Sequence, residues 1–231
     1  MNDYIRPLLP TARRIRRKLE QLAYGERYME KIFTKYYSSN FWQGTQSVSG
    51  SGSDPEQTAM IRKQLPALFE SYGINTVLDI PCGDFFWMKD VDLRISQYIG
   101  ADIVDDLVST NNTLYADRCR SFTKLDAVKD HLPPVDLIFS RDCLVHFSTN
   151  DIIAALRNFQ RSRSSYLLTT TFTDRQDNIP IETGRWRPIN LEAPPFNLPS
   201  PIEIINEHCT QGDGQYSDKS LALWELKHIE V

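Results

Sequence analysis

The stretch that decides the fold is residues 76–88, TVLDIPCGDFFWM. Residues 76–80 form an apolar run that contains one acidic residue, Asp79, and they predict a buried strand. Residues 81–83 then predict a tight turn. In parallel α/β sheets, a first strand that ends in an acidic residue and a glycine turn brings the chain to a nucleotide. The stretch is a weak signal alone, because Gly83 stands where a dinucleotide fingerprint has three glycines.

Strands and helices alternate on both sides of this stretch. An amphipathic helix is predicted over 55–72, with Asp54 as its N-cap and Pro55 at its first position. Further strands are predicted at 97–103, 121–125, 135–140 and 165–171, and further helices at 104–117 and 151–160. This rhythm predicts a mostly parallel sheet with helices on both faces.

The rhythm breaks after the fifth strand. Residues 174–201 contain six prolines, which excludes a helix or a central strand there and predicts a long, ordered loop. Two more strands follow at 201–206 and 220–228, and we expect them to pair antiparallel and close one edge of the sheet.

Polar residues mark the ends of four predicted strands. Asp102 ends the second strand, at the distance from the first turn where an acidic residue binds a ribose diol. Asp126 and Ala127 end the third strand and suit an adenine amino group. Arg141 and Asp142 follow the fourth. Because ligands of such sheets lie at the carboxyl ends of the strands, these residues predict one site.

The motifs at these strand ends resemble those of class I S-adenosylmethionine (AdoMet)-dependent methyltransferases. The similar segments are VLDIPCGD (77–84), YIGADI (98–103), LDA (125–127) and VDLIFSRDCLVHF (135–147). The resemblance covers roughly residues 74–231. It implies a Rossmann-like, seven-stranded, mostly parallel sheet with an antiparallel C-terminal hairpin, preceded by an N-terminal helical arm. It also implies AdoMet as the cofactor.

The resemblance implies which residues contact the cofactor. Pro81 and Phe85 replace glycines of the usual motif, so Asp84 and its aromatic neighbours are expected to contribute more. Asp79 should order the turn and the methionine amino end. The expected cofactor contacts are Asp79, Pro81, Gly83, Asp84, Trp87, Asp102, Ile103, Asp126, Ala127 and Arg141, with Trp42, Ser51 and Gly52 from the preceding loop.

A general base would speed methyl transfer to a hydroxyl, and His146 is the first candidate. Asp142 is the second, and His146 could equally be a packing residue. Trp186 offers a face for a sugar ring, while Arg185 and Arg187 either hold an anionic acceptor or pair with acidic residues. We expect a hydroxyl of a glycan or another small molecule as acceptor. N-methylation, or a non-catalytic AdoMet-binding or partner-binding subunit, are the alternatives, and an NAD enzyme is disfavoured.

The N-terminal region is expected to divide from the rest at residue 53. Residues 1–53 would form a helical arm, with a predicted helix over 10–38, and a Gly/Ser segment, SGSGS (49–53), that is either a linker or a lid. Residues 54–231 would form the methyltransferase domain. The basic cluster at 13–18 has two interpretations: contact with a membrane surface or anionic partner, or a solvated helix face packed on the body or on a second subunit of a homodimer.

Composition excludes several classes. Residues 1–40 carry a net charge of +5 and the remaining residues −9, and this acidic body argues against a nucleic-acid partner. The four cysteines form no C-x-x-C pair, which argues against a zinc site. No apolar run is long enough for a membrane span, and the N-terminus lacks a signal-peptide core. We therefore expect a cytoplasmic protein without a metal.

Overall fold

The computed structural model describes Gly25 and residues 28–231, and a seven-stranded sheet is its central element. The helices are α1 (Tyr28–Ser38), α2 (Pro55–Ser71), α3 (Asp105–Tyr115) and α4 (Thr149–Arg161). The strands are β1 (Thr76–Asp79), β2 (Gln97–Asp102), β3 (Arg120–Lys124), β4 (Leu137–Ser140), β5 (Tyr166–Phe172), β6 (Glu203–Asn206) and β7 (Lys219–Glu225).

The strand order is β3-β2-β1-β4-β5-β7-β6. Strands β1 to β5 pair in parallel, whereas β7 runs antiparallel to both β5 and β6. The strand order reverses beside β1, so the ends of β1, β2 and β4 meet at one edge, where such sheets bind ligands. This topology confirms the predicted Rossmann-like, seven-stranded, mostly parallel sheet with an antiparallel C-terminal hairpin.

Two apolar cores cover the two faces of the sheet, because successive side chains of a strand point to opposite faces. In β4, Ile138 packs into a core with Ile152 and Phe159 of α4. The preceding residue, Leu137, packs on the other side with Leu65 of α2 and Val108 of α3. Helices therefore lie on both faces, as predicted.

Two predicted helix starts differ from the structure in their caps. Asp54 does occupy the N-cap position of α2, with Pro55 next to it, but its side chain makes no cap hydrogen bond. Helix α4 begins at Thr149 and is capped by Ser148, whose hydroxyl accepts a hydrogen bond from the backbone N–H of Asp151 at 3.2 Å. The helix predicted over 151–160 thus begins two residues earlier, at Thr149.

The proline-rich segment between β5 and β6 has no regular element, as predicted, but it is packed. Ile189, Leu191, Phe196 and Leu198 are buried in the same core as α4. The backbone N–H of Phe172 also donates to the carbonyl of Ile189 at 2.7 Å. The loop is thus anchored beside the end of β5.

Helix α1 is the described part of the predicted N-terminal helix. Met29 and Phe33 pack against the core that contains α4. The basic cluster at 13–18 lies outside the described residues, and the predicted division at residue 53 stays a prediction. Among the described residues, no helix is both long enough and apolar enough to cross a membrane.

Candidate functional site

A cleft opens at the carboxyl ends of β1, β2 and β4, and we call it the strand-end cleft. It encloses about 1090 Å³ when the space open to solvent is included. Its floor comes from the strand ends and the turns after them, and its cover comes from α1 and from residues 39–54, here called the 39–54 segment. Of the predicted site residues, it is lined by Trp42, Asp79, Pro81, Gly83, Trp87, Asp102, Ile103, Ala127, Arg141, Asp142 and His146.

Two buried carboxyl groups form the floor of the cleft. Asp102 accepts hydrogen bonds from the backbone N–H of Gly83 at 3.2 Å and of Val104 at 2.9 Å. Asp79 accepts a hydrogen bond from the hydroxyl of Tyr98. Asp102 therefore holds the turn after β1 in place, and Asp79 is held by a side chain of β2.

The surroundings of these carboxyls disfavour their charge. Burial raises the pKa of Asp79 to about 8, and the hydrogen bond from Tyr98 offsets only part of that effect. Burial also raises the pKa of Asp102 to about 6, against the effect of its backbone donors. No basic side chain among the described residues forms an ion pair with either group. Both are therefore poised to gain from a cation placed beside them.

The turn after β1 binds the 39–54 segment. Gly83 has a φ of +54°, and a Cβ there would lie 2.4 Å from Ser49 Oγ, so a larger residue would be strained and would displace Ser49. Asp84 accepts hydrogen bonds from Ser47 Oγ at 2.9 Å and from the Val48 N–H at 3.0 Å. Asp84 thus faces the 39–54 segment and does not line the cleft, contrary to its predicted place beside the cofactor.

One wall of the cleft is apolar. Ile103, Leu125 and Ala127 line it after β2 and β3. Asp126, which was predicted to face an adenine, does not line the cleft. Its carboxylate accepts from the Val128 N–H at 2.9 Å and lies 3.6 Å from Lys129 Nζ, and burial raises its pKa.

Four charged residues form a network at the opposite side of the cleft, here called the four-charge network. Its members are Arg141, Asp142, Glu207 and Lys219. Arg141 donates to both carboxylate oxygens of Glu207, at 3.0 and 2.7 Å. Lys219 Nζ lies 2.7 Å from Asp142 Oδ2 and 3.2 Å from Glu207 Oε2. Two positive and two negative charges thus balance one another between β4 and the C-terminal hairpin.

This network sets the ionisation of Asp142. Burial alone would raise the pKa of Asp142, but the ion pairs with Lys219 and Arg141 outweigh burial and hold it well below its ordinary value. The guanidinium of Arg141 also donates to the carbonyl of Gly52 at 2.9 Å, which ties the 39–54 segment to β4. Arg141 is therefore engaged with protein groups as well as lining the cleft.

His146 lies in a short 3-10 turn, Leu144–His146, between β4 and α4. Its Nδ1 is 3.0 Å from the carbonyl oxygen of Arg185. Because a carbonyl oxygen only accepts, Nδ1 carries the proton and Nε2 is left as the acceptor in the neutral ring. Burial lowers the pKa of His146, so the ring is neutral at pH 7. His146 therefore meets the chemical requirements of a proton acceptor.

A second cavity adjoins the strand-end cleft. It lies between the 39–54 segment, the end of β5 and the C-terminal hairpin, and it shares Trp42, Ser49, Asp142 and His146 with the cleft. Its other lining residues are Gly50, Ser51, Gly52, Phe172, Trp186, Cys209, Gln211, Tyr216 and Lys219. Ser51 and Gly52, which were predicted to contact the cofactor, thus line the second cavity.

The two arginines beside Trp186 line neither cavity. Arg187 is buried and donates to the carbonyls of Phe147 and Val145, at 2.9 and 3.4 Å, and burial lowers its pKa to about 10. Arg185 is exposed, and its carbonyl binds His146. The prediction that both arginines hold an acceptor therefore has no support in their positions.

Sequence reasoning missed Glu207, Lys219 and Tyr98. One signal was available: Lys219 opens the mostly apolar strand KSLALW, where an unpaired lysine would be costly. No comparable signal marks Glu207. Among the described residues, no group of three or more His, Cys, Asp or Glu side chains is placed to hold a metal ion.

No protein-family model and no curated protein matches the chain. The methyltransferase domain of bacterial CtHen1-CN is similar in structure, with a TM-score of 0.45 and 15% identity over 50% of this chain and 66% of that one. Magnesium protoporphyrin IX methyltransferase (ChlM) from Synechocystis PCC 6803, with bound SAM, has a TM-score of 0.46 and 14% identity over 64% and 77%.

A third similar structure is DesVI of Streptomyces venezuelae, with a TM-score of 0.43 and 14% identity over 51% of this chain and 52% of that one. At these identities and TM-scores the likeness concerns the fold alone.

Proposed function

We propose that the chain transfers a methyl group from AdoMet to a hydroxyl group of a glycan or another small molecule. The observation that carries the proposal is the pair of buried carboxyls, Asp79 and Asp102, at the ends of adjacent strands and without a basic partner among the described residues. AdoMet has a sulfonium and an ammonium group, and its ribose has two hydroxyls. A cationic nucleoside therefore matches both the charge and the hydrogen-bonding capacity of this floor.

The residues of the strand-end cleft fit AdoMet group by group. Asp102 would bind the ribose hydroxyls, and Asp79 would face the positively charged methionine end. The wall formed by Ile103, Leu125 and Ala127 would hold the adenine ring by apolar contact. Pro81 and Gly83 line the cleft at the turn after β1, where they would contact the cofactor.

When bound, AdoMet supplies an electrophilic methyl group. The protein then has to align the acceptor, exclude water and remove one proton. His146 Nε2 takes the proton of the acceptor hydroxyl, while the carbonyl of Arg185 holds the ring in the required tautomer. Asp142 is the weaker candidate base, because its ion pairs with Lys219 and Arg141 lower its affinity for a proton. The 39–54 segment, with Trp42, covers the cleft against solvent.

The position of His146 favours O-methylation over the alternatives. His146 lines both the strand-end cleft and the second cavity, which is where a base between cofactor and acceptor belongs. An amine acceptor needs less help from a base, and a non-catalytic subunit needs none. Location in the cytoplasm, a homodimer and the separate N-terminal arm of residues 1–53 stay predictions.

The test combines binding with turnover. Calorimetry with AdoMet should give saturable binding at one site. S-adenosylhomocysteine release should then be measured with a panel of hydroxyl-bearing acceptors. His146→Gln should lower turnover by about 10²–10⁴-fold with AdoMet affinity unchanged. The matched control is His131→Gln, since His131 is exposed and outside both cavities.

The outcomes separate the parts of the proposal. No AdoMet binding would reject the cofactor and with it the function. AdoMet binding with no S-adenosylhomocysteine release from any acceptor would favour the non-catalytic subunit. Full turnover in His146→Gln would remove His146 as the base.

A further inference from the structure

The second cavity has an aromatic wall with a partly exposed tryptophan. Trp186 packs edge-to-face on Tyr216, with ring centroids 5.0 Å apart, and on Phe172, with centroids 6.1 Å apart. Although both neighbours hold it in place, Trp186 is still 41% exposed. A large apolar side chain that is fixed and left open to a cavity is typical of a ligand contact.

The charges that border this cavity cancel one another. Lys219 is bound by Asp142 at 2.7 Å and by Glu207 at 3.2 Å, and Arg141 completes the balance by binding Glu207. Neither Lys219 nor Asp142 is therefore free to pair with a charge on a ligand. An anionic or cationic group placed here would lose its hydration without gaining a partner.

The remaining polar groups of the cavity are neutral. Gln211 Nε2 donates to Ser51 Oγ at 2.7 Å, and Tyr216 carries a hydroxyl. These groups lie around the same cavity as Trp186 and can exchange hydrogen bonds with hydroxyls of a ligand. Aromatic faces combined with neutral hydrogen-bonding groups are suited to a sugar ring, whose C–H faces pack on an aromatic ring and whose hydroxyls bind polar side chains.

We propose that the second cavity is the acceptor site and that it binds a carbohydrate without a charged group, packed against Trp186. The proposal rests on the proposed function and narrows its acceptor to one chemical class. The shared lining residues place such an acceptor next to the strand-end cleft, with His146 at the junction.

The experiment measures binding directly, so it does not depend on turnover. The probes are neutral methyl glycosides (a hexoside, a 6-deoxyhexoside and a pentoside), each compared with a uronic-acid and an amino-sugar counterpart where one exists. Saturation-transfer NMR on the full chain, with and without S-adenosylhomocysteine, gives relative affinities. At least one neutral glycoside should bind, and its charged counterparts should bind at least tenfold more weakly.

Two variants locate the binding. Trp186→Ala should weaken the neutral glycoside at least tenfold, and Trp186→Phe, which keeps an aromatic ring against Tyr216, should weaken it only a few-fold. Ile179→Ala is the control, because Ile179 is 70% exposed on the same loop and lines neither cavity. AdoMet affinity by calorimetry should be unchanged in all three, and circular dichroism should match the parent chain.

Contrary results have distinct meanings. Tighter binding of the charged glycosides, no binding of any neutral glycoside, or undiminished binding in Trp186→Ala would each overturn the carbohydrate site. If AdoMet still binds, these results do not contradict AdoMet as the cofactor. Failure of AdoMet to bind, with the glycoside results as expected, would reject methyl transfer and keep the carbohydrate site.

Discussion

The floor of the strand-end cleft and the four-charge network lie on the same edge of the sheet. The pKa of a buried carboxyl group is raised on the floor and lowered in the network. On the floor, burial raises the pKa of Asp79 and Asp102, and no described basic side chain pairs with them. In the network, Lys219 and Arg141 outweigh burial and lower the pKa of Asp142. Burial raises the pKa of all three carboxyls, so the opposite shift of Asp142 comes from its basic partners.

This contrast indicates a division of tasks. A set of balanced charges has little left to offer a ligand, and it serves to join β4, the 39–54 segment and the C-terminal hairpin. A pair of carboxyls without basic partners is costly in the unliganded chain and gains from a cation. The floor can thus contribute free energy to the binding of a cationic ligand, whereas the network stabilises the fold.

The largest expected effect comes from unbalancing the network. Glu207→Gln leaves Arg141 and Lys219 with a single carboxylate, and breaking a buried ion pair in this way costs roughly 3–5 kcal/mol. Urea unfolding should show this loss in the free energy of unfolding. Glu230→Gln, at an exposed position outside the network, should change it by less than about 0.5 kcal/mol. Equal stability of the two variants would contradict a structural role for the network.

The next effect concerns the floor. Asp102→Asn removes a charged acceptor, so AdoMet affinity should fall by roughly 1.5–3 kcal/mol, which is about tenfold or more. Calorimetry measures it, and Asp105→Asn is the control because Asp105 is exposed at the start of α3. An unchanged affinity would reject the ribose contact of Asp102.

A third effect is the pH dependence of stability. Asp79 has a raised pKa of about 8, so the folded chain holds a proton that the unfolded chain has lost from about pH 4 upward. The free energy of unfolding therefore falls as the pH rises through this window, by about 2 kcal/mol between pH 6 and pH 8. Asp79→Asn should abolish this part of the slope, because the amide stays neutral and can still accept from Tyr98.

Thermal unfolding at a series of pH values checks this prediction, and it is the difference between the two proteins that counts. If the parent chain and Asp79→Asn lose stability in parallel between pH 6 and pH 8, Asp79 ionises like an ordinary carboxyl. Its pKa would then not be raised, and the contrast with Asp142 would be wrong for this residue.

The smallest effect is expected at the 39–54 segment. Asp84→Asn replaces the charged acceptor of Ser47 and Val48 by a weaker one, which costs about 0.5–1.5 kcal/mol. AdoMet should then dissociate a few-fold faster in stopped-flow measurements, and proteases should cut the 39–54 segment sooner. Asp90→Asn, at an exposed position past the same turn, is the control. Identical dissociation rates would mean that the segment does not retain the cofactor.

The sequence was sufficient for the sheet and for the floor of the site because both depend on local patterns. An apolar run fixes where a strand lies, and the residue that follows it then lies at the carboxyl edge. Asp79 and Asp102 were placed in this way, and the structure puts both on the floor of one cleft. The antiparallel pairing of β6 with β7 was also predicted, because both segments have the pattern of strands.

The network could not be predicted, because its contacts join residues far apart in the chain. Arg141 and Glu207 are 66 positions apart, and Asp142 and Lys219 are 77 apart. Their meeting depends on strand order and register, which no local pattern encodes. The same holds for Asp84, whose partners lie 36 and 37 positions earlier in the 39–54 segment. The sequence marks Asp84 as a candidate, but its carboxylate points toward a loop whose position no periodic pattern predicts.

The long-range network also has a consequence for protein synthesis. Arg141 and Asp142 leave the ribosome before Glu207 and Lys219, because translation runs from the N-terminus. Until β7 pairs with β5, the end of β4 carries an arginine and an aspartate without their hairpin partners. A nascent chain can thus assemble five parallel strands before the four-charge network is complete. Strand β7 therefore supplies the lysine that completes the network.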